Sequence, residues 1–278
     1  MLIKEYRLLL PMTLEEYQVA QLYMVAKSSA EETAVTAGEG VAIHKNEPYT
    51  EDNNPFGLPL GGQYTHKTLF FASRLPRWAL SILPTAATSL TERSWNAYPL
   101  CVTQYTNDYL GESLHLTVTS AHAADRGEQP NATGLGPEDL AVRQVDYINI
   151  ACGADADAAA VRTFVPGSGG SGRLGGKDPT AVAAVASRGP LSPRWFAEGA
   201  GGGVCMCAYK VVKLRVKVFG LQTRAESWGH AYGFRAAFAT YHRRLWCWLD
   251  EWWGMSVADV RAMEEETRRR NAAAMGGG

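Results

Sequence analysis

Apolar residues recur along the chain with two periods, and the changes of period mark its elements. The run LIKEYRLLL (2–10) is rich in Leu, Ile and Tyr and predicts an opening strand. Thr13 and Glu16 form a capping-box pair ahead of a helix that should run to about residue 30. Strands are expected near 40–48, across 61–73, at 99–107 and 113–122, at 145–151, and strongly at 207–219. A short apolar helix fits 78–83, between Pro76 and Pro84. From about 223 to 253, Phe234, Phe238, Tyr241, Leu245, Trp248 and Trp252 recur at helical spacing. The last helix should start at Ser256, with Asp259 as its capping partner, and fray into the arginine run 268–270. Residues 153–203 are rich in Gly, Ala, Ser and Pro and predict a long loop within one domain over 1–270, with a flexible tail at 271–278. Strands and helices do not alternate as regular βαβ units. The class expected is therefore α+β: one curved, largely antiparallel sheet with long helices closing one side.

Several elements carry polar residues where this pattern calls for apolar ones. In GGQYTHKTLFFAS (61–73), Gln63, Thr65, Lys67, Leu69 and Phe71 share a strand face. That face begins polar and cationic and ends apolar. Lys210 interrupts a face made of Ala208, Val212, Leu214, Val216 and Val218, while Lys213, Arg215 and Lys217 should form a solvated face. Leu114, Leu116 and Val118 lead to Ser120, and Thr103 shares a face with Cys101 and Tyr105. Gln21 lies with Leu14, Tyr17 and Met24 on the first helix; Glu264 lies with Val257 and Val260 on the last. Any one of these fits a snorkelling lysine or an internal salt bridge. Together they fit a large apolar cavity with a polar end, because a buried charge needs a partner or a ligand. Two lysines and several hydroxyls suit an anionic phosphate. A carboxylate and an amide suit sugar-like hydroxyls. The ligand implied is an amphiphile with two acyl chains and a phosphorylated polyol head.

Composition excludes several alternatives. The 278 residues are 46% hydrophobic and 20% charged, enough for a sizeable core. A net charge of −1 gives none of the basic excess typical of nucleic-acid binders. No apolar run is long enough to span a membrane, and the N-terminus reads as a strand, not a signal peptide. The five cysteines show no disulfide framework, and Cys205 and Cys207 leave no second pair for zinc, which fits a reducing, cytoplasmic setting. Asn131-Ala-Thr133 is a glycosylation sequon by pattern alone. The six histidines form no H-E-x-x-H pair, and none is sequence-linked to Cys101. GSGGSG (167–172) follows no strand, and RLGGKD (173–178) has Asp178 where a phosphate-binding loop needs Ser or Thr. No enzyme, metal or cofactor is expected.

The residues also resemble a known family. KEYR (4–7), EEYQVAQLY (15–23), NEPY (46–49), GQYTHK (62–67), WNAYP (95–99), TNDY (106–109), RGPLSPRW (188–195), CAYK (207–210), GLQ (220–222), CWLD (247–250) and MEEET (263–267) resemble the phosphatidylinositol transfer proteins of the single-domain, class I kind. The stretches occur in family order across almost the whole chain; the weak regions are 50–61, 123–142 and 153–187.

The resemblance implies a START-like helix-grip fold enclosing one phosphatidylinositol or phosphatidylcholine. That lipid is cargo exchanged between membranes by a monomer bound transiently to their surfaces, with phosphoinositide kinases as possible partners. It puts inositol contacts on Thr65, Lys67, Asn96 and Glu264, and phosphate-region contacts on Gln21, Thr103, Ser120 and Lys210. Asn96 comes from the resemblance alone, in a turn-like WNAYP. Ser120 replaces the threonine usual in animal members and keeps the hydroxyl. Cys101 matches a cavity cysteine that makes the family sensitive to alkylation. Membrane docking falls on Val218, Phe219 and Trp78; two adjacent tryptophans are often found where Val218-Phe219 stands here. A phosphorylated serine of animal members aligns near Ala183.

Overall fold

The computed structural model describes residues 1–35, 40–72, 75–81, 83–151, 203–218 and 220–275, with Pro179, Arg188, Pro190–Ser192, Arg194 and Trp195. Phe219, Ala183 and most of the 153–203 stretch lie outside the described residues.

The opening run forms β1 (Leu2–Leu10) and leads into α1 (Leu14–Val35), five residues longer than its pattern suggests. The capping box forms: the Glu16 amide donates to the Thr13 hydroxyl at 3.2 Å, and the Thr13 amide donates to the Glu16 carboxylate at 2.9 Å. There follow β2 (Gly40–Pro48), β3 (Gln63–Phe70), the short α2 (Arg77–Leu80), β4 (Ser89–Ala97), β5 (Leu100–Thr106), β6 (Leu114–Ala123), α3 (Pro137–Val142), β7 (Gln144–Asn149) and β8 (Met206–Val216). All eight strands join one sheet in the order β2-β3-β4-β5-β6-β8-β1-β7. Every pairing is antiparallel except β1 with β7. The α+β class expected from the pattern is the one observed.

β4 has no counterpart among the expected strands. Its inward residues are Leu90, Glu92, Ser94 and Asn96, so polar groups occupy the face where alternation would show apolar ones. Asn96 therefore sits on a central strand rather than in a turn.

The single long helix expected over 223–253 is broken. It comprises α4 (Gln222–Trp228), a π-helical stretch (Gly229–Arg235), α5 (Ala236–Cys247) and α6 (Leu249–Trp252). Gly229 permits this path, because a Cβ there would lie 2.7 Å from Leu214 Cδ2 on β8. In the π stretch, the Tyr6 hydroxyl donates to the His230 carbonyl at 2.8 Å. The final helix, α7 (Val257–Met275), starts as its cap predicts: the Asp259 amide donates to the Ser256 hydroxyl and the Ser256 amide to the Asp259 carboxylate.

The main core lies between the inner sheet face (Tyr6, Leu8, Leu10, Val118, Val212, Leu214) and the helices (Tyr17, Ala20, Leu245, Trp246, Trp252, Val260). The outer face is not simply solvated. Glu5 is fully buried there and accepts from Arg7 Nε at 2.6 Å and Arg143 at 2.6 Å. Arg7 also donates to the carbonyls of Gly127 and Gln129 and lies over the Tyr147 and Tyr209 rings. Lys213, expected in solvent, pairs with Asp139 of α3. The segment between β6 and β7 thus covers the outer face of β1 and β8, and the KEYR motif is the clasp that holds it.

Candidate functional site

Residues directly opposite one another on paired strands share a face of the sheet. The register therefore lines up the inner face in rows. One row runs Gln63, Asn96, Cys101, Ser120, Lys210, Tyr6 across β3, β4, β5, β6, β8 and β1. The next runs Thr65, Ser94, Thr103, Val118, Val212, and the third Lys67, Glu92, Tyr105, Leu116, Leu214. Seven of the sequence-derived candidates (Thr65, Lys67, Asn96, Cys101, Thr103, Ser120 and Lys210) thus occupy three adjacent rows. The second and third rows turn apolar at β6, so the polar groups form a band toward one end of the face.

Within this band, burial shifts Cys101, Tyr105 and Lys210 from their ordinary values, although each keeps some accessible surface. Desolvation lowers the pKa of the Lys210 ammonium, opposed by the nearby Cys101 thiol, and the Lys210 charge in turn helps hold the His122 and His242 imidazoles neutral. Lys210 makes no ion pair among the described residues; its Nζ lies 5.4 Å from the centre of the Phe238 ring. Lys67 differs, with the Glu92 carboxylate 3.9 Å from its Nζ. Burial pushes the Cys101 thiol up, opposed by its hydrogen bond with Ser94 and by the Lys210 charge. The Ser94 and Thr103 hydroxyls share a hydrogen bond of 2.9 Å. Tyr105 is raised well above its ordinary value by burial and then by Glu92.

The helical candidates lie at or beside a pocket that also takes in Gln63 and Asn96 of the first row. Gln21 and Gln18 of α1 line a pocket of about 270 Å³ with Gln63, Asn96, Leu60, Gly62, Tyr98 and Arg261. Gly62 is required there: a Cβ would lie 2.4 Å from the Asn96 carbonyl oxygen and 2.6 Å from the Tyr49 ring. Glu264 reaches this pocket through Arg261, whose Nη1 donates to its carboxylate at 2.7 Å. Behind the pocket, His242 Nδ1 lies 2.7 Å from the Phe238 carbonyl and so carries the proton, leaving Nε2 to accept from the Tyr17 hydroxyl at 2.8 Å. Desolvation takes His242 down to about 3 and His230 to about 4. Arg188 holds Glu16 with two hydrogen bonds of 2.6 and 2.9 Å and lies 4.8 Å from the centre of the Trp253 ring.

Two of the docking candidates sit on neighbouring elements. Trp78 of α2 is half-buried beneath the Arg224 guanidinium, 4.5 Å from ring centre to carbon. Arg224 belongs to α4, which begins four residues after Val218, itself half-buried. Leu80, two residues from Trp78, is 43% exposed. No described helix is long and apolar enough to cross a membrane, and no described cluster of His, Cys, Asp and Glu could hold a metal.

The family model described as phosphatidylinositol transfer protein matches residues 1–269. The chain belongs to the phosphatidylinositol transfer protein family. It is 41% identical over 270 residues to phosphatidylinositol transfer protein 2 of Dictyostelium discoideum, covering 96% of this chain and 94% of that one. It is 36% identical over 271 residues to the human phosphatidylinositol transfer protein beta isoform, covering 96% of this chain and 92% of that one. It is 42% identical over 276 residues to the human membrane-associated phosphatidylinositol transfer protein 1, covering 99% of this chain but only 21% of that one. Phosphatidylinositol transfer proteins are lipid carriers and not enzymes.

Sequence reasoning passed over Gln18, Glu92, Ser94 and Arg261. Two of them carried a usable signal: Gln18 precedes Gln21 by three residues and Arg261 precedes Glu264 by three, so each shares a helix face with a residue already singled out. Glu92 and Ser94 were hidden with the rest of β4.

Proposed function

We propose that this protein encloses one phospholipid, phosphatidylinositol or phosphatidylcholine, and carries it between membranes without any cofactor. The observation that supports this most directly is the band of polar groups bordering an otherwise apolar sheet face, with the Lys210 ammonium making no ion pair among the described residues. A phosphodiester supplies the counter-charge that ammonium lacks. Hydroxyls on Thr103 and Ser120 and the amide of Gln21 complete the phosphate-region contacts, and Thr65, Lys67, Asn96 and Glu264 meet the inositol ring.

Transfer needs no covalent chemistry. The barrier is exposure of acyl chains to water, about 0.8 kcal/mol per CH₂. An apolar cavity removes that penalty in transit. Docking through Val218, Phe219 and Trp78 opens the mouth against the bilayer, and α7 swings away with Glu264. The protein works as a monomer in the cytoplasm, visiting membrane surfaces transiently. Presentation of phosphatidylinositol to lipid kinases, with little net transport, is the second reading. Kinase stimulation that survives loss of vesicle transfer would favour it.

The test is to purify the protein, expose it to vesicles of mixed phosphatidylinositol and phosphatidylcholine, extract it and identify bound lipid by mass spectrometry. About one phospholipid per chain supports the carrier. Thr65→Ala and Lys67→Ala should lose phosphatidylinositol transfer and keep phosphatidylcholine transfer, because an unpaired polyol hydroxyl costs about 1–3 kcal/mol while choline makes no such bond. Equal loss of both lipids would overturn the headgroup assignment.

A further inference from the structure

We propose that Arg261 biases headgroup choice by disfavouring cationic ones, an inference that deepens the carrier reading and rests on it. Among the described residues lining the pocket between α1, β3, β4 and α7, Arg261 alone carries a charge. The other polar side chains facing it are the neutral amides of Gln18, Gln21, Gln63 and Asn96 and the phenol of Tyr98. Amides donate and accept, so they match the hydroxyls of a polyol in any rotation. They offer nothing specific to a quaternary ammonium.

The charge arrangement sharpens this preference. Glu264, three residues after Arg261 on α7, is an acidic group beside the pocket that could attract choline, and the Arg261 guanidinium holds it at 2.7 Å. The pair is partly buried, with side-chain exposures of 34% for Arg261 and 20% for Glu264, so solvent screens it only in part. A neutral inositol ring can enter beside the intact pair and bond to both members: its hydroxyls donate to Glu264 and accept from Arg261. A choline or ethanolamine head meets the guanidinium as a like charge, or must take Glu264 away from it. Either way the cationic head loses an interaction that the polyol keeps. Arg261 thus acts on choice between lipids, while Lys210 serves the phosphate that both lipids share.

The test compares the wild-type chain with Arg261→Gln and Arg261→Lys after equilibration with vesicles of equimolar phosphatidylinositol and phosphatidylcholine, reading the ratio of bound lipids by mass spectrometry. Arg261→Gln should lower the phosphatidylinositol share about threefold to fivefold, the scale of one partly exposed ion pair, by freeing Glu264 for choline. Arg261→Lys, which keeps the charge, should stay within about twofold of wild type. Total bound phospholipid is read alongside the ratio, so that lost loading is separated from changed choice. An unchanged ratio in Arg261→Gln overturns the proposal, as does an equal fall in Arg261→Lys, which would mean shape rather than charge. Failure of the carrier reading looks different: wild type itself would then hold neither lipid. A drop in total lipid for Arg261→Gln at constant ratio would make the residue a structural strut of α7, again against the proposal.

Discussion

Three imidazoles are buried where helix meets sheet, and their burial makes stability depend on pH. His122, His230 and His242 are all held below their ordinary value of 6.5 by desolvation. Folded, they stay neutral while the unfolded chain takes up protons, so stability is fully present above about pH 6.5 and falls as pH drops toward the folded values of about 4 for His230 and 3 for His242. His242 alone should remove up to about 2 kcal/mol between pH 7.5 and pH 5. Urea denaturation at the two pH values checks this, and His242→Gln should flatten the difference even though losing the Tyr17 bond lowers stability at both. An identical pH dependence in that variant would show that His242 does not titrate on unfolding. The same desolvation lowers the pKa of Lys210, and a phosphodiester bound beside it, as proposed above, would relieve that cost. Residue chemistry of this kind was legible in the sequence. A lysine on an otherwise apolar strand face needs either a partner or a ligand; Lys67 has Glu92 beside it, while Lys210 makes no ion pair among the described residues.

Elements are joined by polar clasps as much as by the core. Glu5 ties β1 to the segment between β6 and β7 through Arg7 and Arg143, both of which bond to its carboxylate at 2.6 Å. Replacing Glu5 by Ala strands two nearly buried guanidinium groups and should cost about 3–5 kcal/mol, read as a shift of the urea midpoint. A loss under about 1 kcal/mol would mean that water enters and the clasp is loose. KEYR drew notice as a family stretch, and nothing in its spacing distinguished a clasp on the outer face from contacts inside the cavity. β4 was missed for a related reason. Period-two alternation reports a strand only when one face is apolar, and β4 directs Glu92, Ser94 and Asn96 inward because its inner face borders the polar band. The site therefore erased the signal of the element that builds it. α1 and α7 were found where their caps placed them, since capping is local chemistry. The break at Gly229–Arg235 was not, because its contacts are made far along the chain, as where the Tyr6 hydroxyl donates to the His230 carbonyl.

At the scale of the whole molecule, α2 and α4 come together, with Trp78 under Arg224 and Leu80, two residues from Trp78, exposed. An indole next to a guanidinium suits a membrane interface, where the ring enters the headgroup layer and the charge meets lipid phosphates. Trp78→Ala should therefore slow vesicle-to-vesicle transfer several-fold while leaving the amount of bound lipid per chain unchanged. Loss of bound lipid instead would make Trp78 part of the cavity wall rather than of the docking surface. The sequence by itself determined the α+β class, most of the strands, both capped helices, and the set of polar residues that had no business on apolar faces. Each of those rests on interactions within a few residues or on the two-fold and 3.6-fold repeat of the backbone. Only the tertiary structure decided which of these residues meet. Strand order and register are set by pairings far apart in the chain, and it is register that puts Gln63, Asn96, Cys101, Ser120 and Lys210 in one row. Packing of α7 against α1 then brings Arg261 and Glu264 to the end of that row, a neighbourhood that no local pattern encodes.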